Sequence, residues 1–406
     1  MASLKFLNAK LINRMKKLIL RISEYKLIFI SVVFLVFFSV GCVKKDEKEI
    51  KIGAVFCLTG SGKTVGEDAL KGVVLAVEQI NNKGGIFGKK VKLIVEDDQT
   101  SPQLSVSATQ KLVNFDKVKV IIGALPSSNT LADIPIAESA KIILFSPASS
   151  NPKISDGGDY IFRNWISDLV EGSAMAHYTY NVLKQKKLAI LFVNNEYGGG
   201  LKDVFKNTFE QLGGKVTITE SYEQDATDFR TQLTKIKATS PDSIYSPGHP
   251  KEMALILNQA KEMKIVLPFE SAVAFEDPVV LELAKGNAEG VIYSTPFFDI
   301  SSDNPTIKNF IETFRNKYKR DPGVFAAHGY DALNIIALAI QKGGYDSDKI
   351  KEQLYKVKDF DGVSGKTSFD QNGDVIKAVS IKTVKKGKFI PLVNNYDFST
   401  GNDNVR

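Results

Sequence analysis

Two serine-bearing loops, one glycine-rich loop and three histidines carry the residues of this chain that could do chemistry. Thr59 to Thr64 reads TGSGKT. Gly-Lys-Thr after an apolar strand run resembles the end of a phosphate-binding loop, whose successive backbone amides wrap a phosphate. That motif opens with a Gly five positions before its Gly-Lys pair, and Cys57 stands there. No Asp placed to hold magnesium follows a later strand, so the nucleotide reading fails. Pro126-Ser127-Ser128 lies between an apolar strand run and a helix, and Ala148-Ser149-Ser150-Asn151-Pro152 repeats the arrangement after the next strand. Hydroxyls and free amides at a helix start favour an anion such as a carboxylate. Serine is also a common helix cap without any ligand. Two such loops on successive strands favour the ligand, because open α/β sheets bind at the carboxyl ends of their strands.

Catalysis has little to stand on. His177, His249 and His328 lack metal spacing, and no G-x-S-x-G elbow occurs. His328 sits inside an Ala-rich helix and reads as a packed or interfacial residue. No catalytic constellation can be assembled, so the expectation is a protein that is not an enzyme and has no metal or cofactor.

The elements that must position these loops follow from the apolar pattern. Lys51 to Lys90 forms a β-loop-α-β unit: a strand over Ile52 to Phe56, a helix over Glu67 to Ile80, a Gly-Gly turn, and a strand over Val91 to Val95. Beyond it, strand runs are expected at 119–122, 142–145, 188–193, 216–221, 243–245, 265–269 and 291–294. Helices lie between them, near 102–115, 169–183, 200–212, 228–238 and 251–263. In 169–183 the apolar residues Leu169, Ala176, Tyr180 and Leu183 recur at helical steps. Alternating strands and helices over this length predict doubly wound parallel sheets, an α/β fold. After Tyr293 the order changes: helices at 306–318, 324–342 and 349–356, then short strands at 367–369 and 375–384. Some 350 residues exceed one usual core and point to two lobes.

The first residues set the compartment. Arg14, Lys16, Lys17, Arg21 and Lys26 precede an apolar run from Leu27 to Val40, which ends in Ser39-Val40-Gly41-Cys42. A charged start, a short apolar core and small residues describe a secretory signal, and the core is shorter than the ~20 residues of a membrane span. Met15-Lys-Lys has the form of a more ordinary signal start than Met1. The Cys after small residues resembles a bacterial lipobox, which would make Cys42 a lipidated N-terminus after removal of 1–41, with 42–50 as a charged tether. Ser39 departs from that pattern, which usually has Leu or Val there. The whole chain carries 53 basic and 46 acidic residues, net +7. Residues 1–41 hold seven basic side chains and one acidic. The remainder is therefore near neutral and gives no support for nucleic-acid binding. Only Cys42 and Cys57 exist. If Cys42 carries lipid, Cys57 has no disulfide partner and reads as a small buried residue.

LTG-x5-G-x5-KG, then AVEQINNKGGIFGKKV and EDDQTSP, resembles the branched-chain amino-acid-binding proteins of ABC importers. The resemblance continues through VIIGALPSS, SPASSNP, FRNWISD, NNEYGGG, GHPKEM, NAEGVIYSTP, RDPGVFAAHGYDAL and FDQNGD. It implies the type I periplasmic binding fold: two doubly wound lobes joined by a hinge, lobe one from 51–166 and 296–376, lobe two from 167–295 and 377–406. Transferred to this chain, Ser127, the Ala148 backbone and Ser150 would hold an α-carboxylate. Asp168 would face the ammonium (or simply cap the following helix). Tyr197 would close over the ligand, His249 falls in a slot that is often Tyr, and Phe325 would line the side-chain pocket or belong to the core. Two positions depart. Val65 stands where an aromatic is frequent, and Val273 stands where a Glu pairs with the ammonium. Glu270 or Glu276 could substitute there if the loop is offset; otherwise a buried ammonium is half-paired, which is costly. An amino acid, a carboxylate without an ammonium and an amide all remain open. The resemblance implies an exported, lipid-anchored solute-binding protein that closes on a small ligand and meets an ABC permease. A lipoprotein signalling to a receptor is the alternative.

Overall fold

The computed structural model describes residues 14–15, 49–375 and 377–396, and the described residues from Glu49 onward form one compact unit. Cys42, the tether up to Lys48 and almost all of the signal segment lie outside the described residues.

The alternating pattern folds into two sheets. The first has five strands in the order β2-β1-β3-β4-β5, all parallel. These are β1 (Glu49–Phe56), β2 (Lys90–Asp97), β3 (Val120–Ile122), β4 (Ile143–Ser146) and β5 (Ile161–Arg163). The connecting helices are α1 (Lys63–Asn82), α2 (Pro102–Lys111) and α3 (Ser127–Ala140). The chain then enters a second sheet through α4 (Asp168–His177). Its strands are β6 (Lys187–Val193), β7 (Lys215–Tyr222), β8 (Ser243–Tyr245), β9 (Phe269–Ser271) and β10 (Ile292–Pro296), linked by α5 (Glu196–Gln211), α6 (Arg230–Ala238), α7 (Pro250–Glu262) and α8 (Pro278–Ala284). Their order, β7-β6-β8-β9-β10, is parallel throughout and repeats that of the first sheet. Three helices follow, α9 (Pro305–Tyr318), α10 (Val324–Gly343) and α11 (Ser347–Tyr355), with a small hairpin of β11 (Phe360–Gly362) and β12 (Gly365–Thr367). Finally β13 (Val379–Lys385), antiparallel to β10, and β14 (Lys388–Tyr396), antiparallel to β13, extend the second sheet.

Helix α10 is apolar and long enough to cross a membrane, but 78% of it is buried. It lies against α1 so closely that a Cβ on Gly72 would meet the Ala326 carbonyl oxygen at 2.0 Å. The start of α1 is likewise pressed onto the end of β1, where a Cβ on Gly66 would lie 1.9 Å from the Cys57 carbonyl oxygen. That contact fixes the glycine-rich loop as a lip at the carboxyl end of the strand.

Two local expectations needed correction. The run 265–269 is strand only from Phe269 onward; Val266 is 91% exposed and Pro268 withholds the donor that a ladder needs. Leu169, expected on a buried face, is exposed, because α4 turns Gly172, Ala174, Met175 and Ala176 inward together with Asp168 and Glu171.

Candidate functional site

In each sheet the chain runs outward in opposite directions from a central pair, β1 with β3 and β6 with β8. Such switch points leave a crevice at the carboxyl ends. Both crevices open on one chamber of about 60 Å³. Cys57, Gly62, Val65, Leu125, Pro126, Ser127 and Ala148 line it from the first sheet's side, and Phe325 from α10. Tyr197, His249, Val273 and Ala274 line it from the second.

The first side is stitched by hydroxyls. Ser127 is the first residue of α3, and Pro126 caps that helix without a side-chain bond. Neither loop serine is therefore used as the cap, and the opening amides keep their field for an anion. Ser127 Oγ instead accepts from the amides of Ser150 and Asn151, both at 3.3 Å. Thr130 Oγ1 and Ser149 Oγ lie 2.6 Å apart, and Ser149 Oγ donates to the Leu125 carbonyl at 2.8 Å. Ser146 Oγ donates to the Ala124 carbonyl at 2.6 Å. Beneath them Arg163, fully buried, pairs with Asp374 at 2.5 Å and donates to the Asn151 carbonyl at 2.9 Å. Ser150 Oγ alone among these loop hydroxyls is buried with no partner. Cys57 is buried and donates to the Gly62 carbonyl, and burial pushes its thiol pKa up, so it is an inert wall residue.

The second side is aromatic and apolar at its surface. Tyr197 stacks on His249 at 5.9 Å, and the Tyr197 hydroxyl is buried without a partner. Burial holds the His249 pKa below its usual value, against the opposing pull of Glu252 and Asp225. The ring is therefore neutral, and the Asn195 amide 3.1 Å away can donate to Nε2. Val273 opens a short 3-10 turn after β9, and its amide donates to Glu171 Oε1 at 2.9 Å. Phe325 stacks on Trp165 at 5.0 Å and serves wall and core together.

Behind this surface lie acids. Asp168 is fully buried at the first position of α4, where Ser167 provides the cap, so the plain capping role falls away. Both its oxygens lack partners. The Ser150 hydroxyl lies beside it, outside hydrogen-bond geometry, and burial raises the carboxyl to about 7. Glu171 is raised to about 8 by burial and by Asp168. Glu270 does not reach the chamber. It pairs in register with Tyr245 inside the sheet, buried with both oxygens unpartnered, and burial raises it to about 8. The loop is not offset: Val273 occupies the wall, and Glu276 is turned away to pair with Lys382 at 2.6 Å.

Seven of the ten expected residues thus line one chamber: Val65, Ser127, Ala148, Tyr197, His249, Val273 and Phe325. Ser150 and Asp168 sit immediately behind it, and Glu270 lies farther off. Sequence reasoning missed Cys57, Gly62, Leu125, Pro126 and Ala274. The rule that strands bind at their carboxyl ends would have found Cys57 and Leu125; Ala274 carries no signal. Direct contacts join the two sides. Asn151 Nδ2 donates to the Glu196 carbonyl at 2.6 Å, the Glu196 amide donates to Ser128 Oγ at 3.2 Å, and Lys153 pairs with Glu196 at 2.9 Å.

Comparison with known proteins agrees with this geometry. The family model for periplasmic binding proteins matches residues 49–388. A leucine-, isoleucine-, valine-, threonine- and alanine-binding protein of Pseudomonas aeruginosa is 29% identical over 328 residues, 80% of this chain and 87% of that one. The crystal structure of a leucine-binding protein from Thermotoga maritima superposes with a TM-score of 0.81 at 31% identity, covering 84% of this chain and 97% of that one. A branched-chain amino-acid transporter substrate-binding protein from Streptococcus pneumoniae, solved with isoleucine, gives 0.79 at 31% identity, with coverage of 84% and 97%.

Proposed function

The chain belongs to the periplasmic binding protein family and is a binding protein rather than an enzyme; on that premise we propose that it is the exported, lipid-anchored solute-binding component of an ABC importer. It takes an amino acid of branched-chain type, or a related small carboxylate or amide, between its lobes and presents it to a permease. Lobe one comprises 51–166 and 296–376, lobe two 167–295 and 377–406. The sheet membership of β1 to β5 and of β6 to β10 with β13 supports these limits, and hinge closure between such lobes is a known way to engage a ligand. Cys42 carries the lipid, outside the described residues.

The observation that carries this reading is the convergence of both switch points on one chamber that begins with the uncapped start of α3. The ligand carboxylate sits against Ser127, the Ala148 amide and Ser150. Its apolar part meets Val65 and Phe325, Tyr197 and His249 close over it, and Asp168 faces an α-ammonium. Val273 leaves that ammonium without the second carboxylate a full pairing needs. A thermal-shift screen of amino acids, small carboxylates and amides tests the proposal, since a ligand of the native state raises the midpoint by mass action. A carboxylate-bearing solute should raise it; if leucine, isoleucine and valine leave it unmoved while another solute shifts it, the branched-chain ligand is wrong.

A further inference from the structure

The pole of the first sheet, where its parallel strands begin, is the end away from the chamber. β1 is eight residues long, so its two ends stand about 25 Å apart. Phe87 and Phe115 are displayed at this pole, 62% and 83% exposed, and no other aromatic ring among the described residues is as exposed. Phe87 lies in the tight turn between α1 and β2, beside the buried Ile86. Its φ is +54°, a left-handed conformation that a bulky side chain adopts only at a cost. Phe115 lies in the single wide helical turn Leu112–Asp116 between α2 and β3. The two turns flank the start of β1, since β1 runs between β2 and β3, which stand about 10 Å apart across it. Lys51 Nζ ties the second turn to β1 by donating to the Asp116 carbonyl at 3.3 Å.

Around the rings the charge is basic. Lys83, Lys90 and Lys117 are exposed and pair with no acid among the described residues. Of the acids nearest in the chain, Glu49 is taken by Lys92 at 3.4 Å, and Asp116 keeps its Oδ2 buried. Farther along the pole Asp159 meets Lys351 at 3.8 Å, and Asp348 meets the Tyr160 hydroxyl. Lysines at helix ends follow from the helix dipole, and the pole of the second sheet carries them too, at Lys184, Lys264 and Lys285. The dipole does not account for displayed rings, and the most exposed large apolar side chain at that second pole is Val266. The first pole is also the one that the tether reaches. Six residues, 43–48, separate Cys42 from Glu49 at the start of β1, a span of about 25 Å at full extension.

We propose that this pole is a membrane-resting face: Phe87 and Phe115 enter the headgroup layer of a bilayer, and the lysines around them meet anionic lipid headgroups. This rests on the lipid anchor proposed above and adds the face that the anchor brings down. The chamber, at the other end of the strands, is then held off the lipid and open to solutes. The test uses the full chain in vesicles of brominated phosphatidylcholine, with and without phosphatidylglycerol. Phe87→Trp, and separately Phe115→Trp, report contact through quenching by the bromine. Trp165, the one native tryptophan and fully buried, sets the background. Quenching of the introduced ring should appear in the anionic vesicles and fall as salt rises. Lys83→Gln with Lys90→Gln and Lys117→Gln should lower the ratio of docked to lifted molecules by about fivefold per lysine. Lys184→Gln with Lys264→Gln and Lys285→Gln, the matched change at the second pole, should leave that ratio unchanged. Flotation of the same samples reports the anchor. Chain that floats with no quenching above the Trp165 background, or that loses quenching equally in the two triple variants, overturns the resting face and leaves the anchor standing. Chain that stays off both kinds of vesicle removes the anchor, and this proposal with it.

Discussion

The two walls of the cleft grow from sheets of the same strand order, yet they treat polar groups in opposite ways. On the first wall Ser127, Thr130, Ser146 and Ser149 are held by hydrogen bonds to neighbouring loops, braced from below by Arg163 and Asp374. On the second, the surface is Tyr197, His249, Val273 and Ala274, and behind it Asp168, Glu171 and Glu270 keep buried oxygens without partners. An anion seat can be made from backbone amides and small hydroxyls that satisfy one another, so it is preorganised before any ligand arrives. A seat for a cation needs carboxylates, and those are stable in a buried layer only when paired or protonated. The first wall is thus rigid and general, and the second is where ligand choice is made.

The pH dependence of stability tests this contrast most strongly. Asp168 is raised to about 7, and Glu171 and Glu270 to about 8, chiefly by burial. Each binds its proton more firmly in the fold than in the unfolded chain, where carboxyls titrate near ~4. Folding therefore takes up protons between about pH 4 and pH 8, and stability falls as pH rises through that window. The ligand-free midpoint should drop on going from pH 5 to pH 8, with a loss on the order of several kcal/mol. Asp168→Asn with Glu171→Gln should make the fall shallower, leaving the part that Glu270, Asp98 and Asp133, also raised by burial, still contribute. An unchanged midpoint across the range would show the acids of the second wall to be paired after all.

Next in size is the double substitution Ser127→Ala with Ser150→Ala. It should abolish the ligand-induced shift, a loss of roughly 100-fold or more if each contact contributes ~1.5 kcal/mol. The ligand-free midpoint should fall by only a few degrees, because the remaining hydroxyl stitches stay. Retained binding would take the first wall out of the site. Glu196→Ala should do least. It breaks the exposed Lys153 pair, worth about 0–1 kcal/mol, but leaves the backbone contacts to Asn151 and Ser128. Small-angle scattering should then show the ligand-bound form as compact as before.

The same contrast explains what could be read from the sequence. Ser127, Ala148 and Ser150 were legible because an anion seat is local: a strand, two small polar residues and a helix start within a few positions. Tyr197 and His249 came only from the family resemblance, although both follow the carboxyl ends of β6 and β8. Glu270 was misjudged because its place depends on register with β8 and β10, which is a property of distant chain segments. The shared strand order of the two sheets leaves no repeat in the residues, since topology constrains pattern and not identity. Leu169 misled because the buried stripe of α4 is made of small residues and acids, which apolar periodicity does not register.

One measurement tests the contrast between the walls directly: the affinity of the full chain for leucine against 4-methylpentanoate, the same molecule without its α-ammonium. If the carboxylate seat dominates and Val273 leaves the ammonium half-paired, the two should bind within about tenfold of each other. Leucine binding more than about 100-fold tighter would show that the second wall pairs the ammonium fully and would contradict this account.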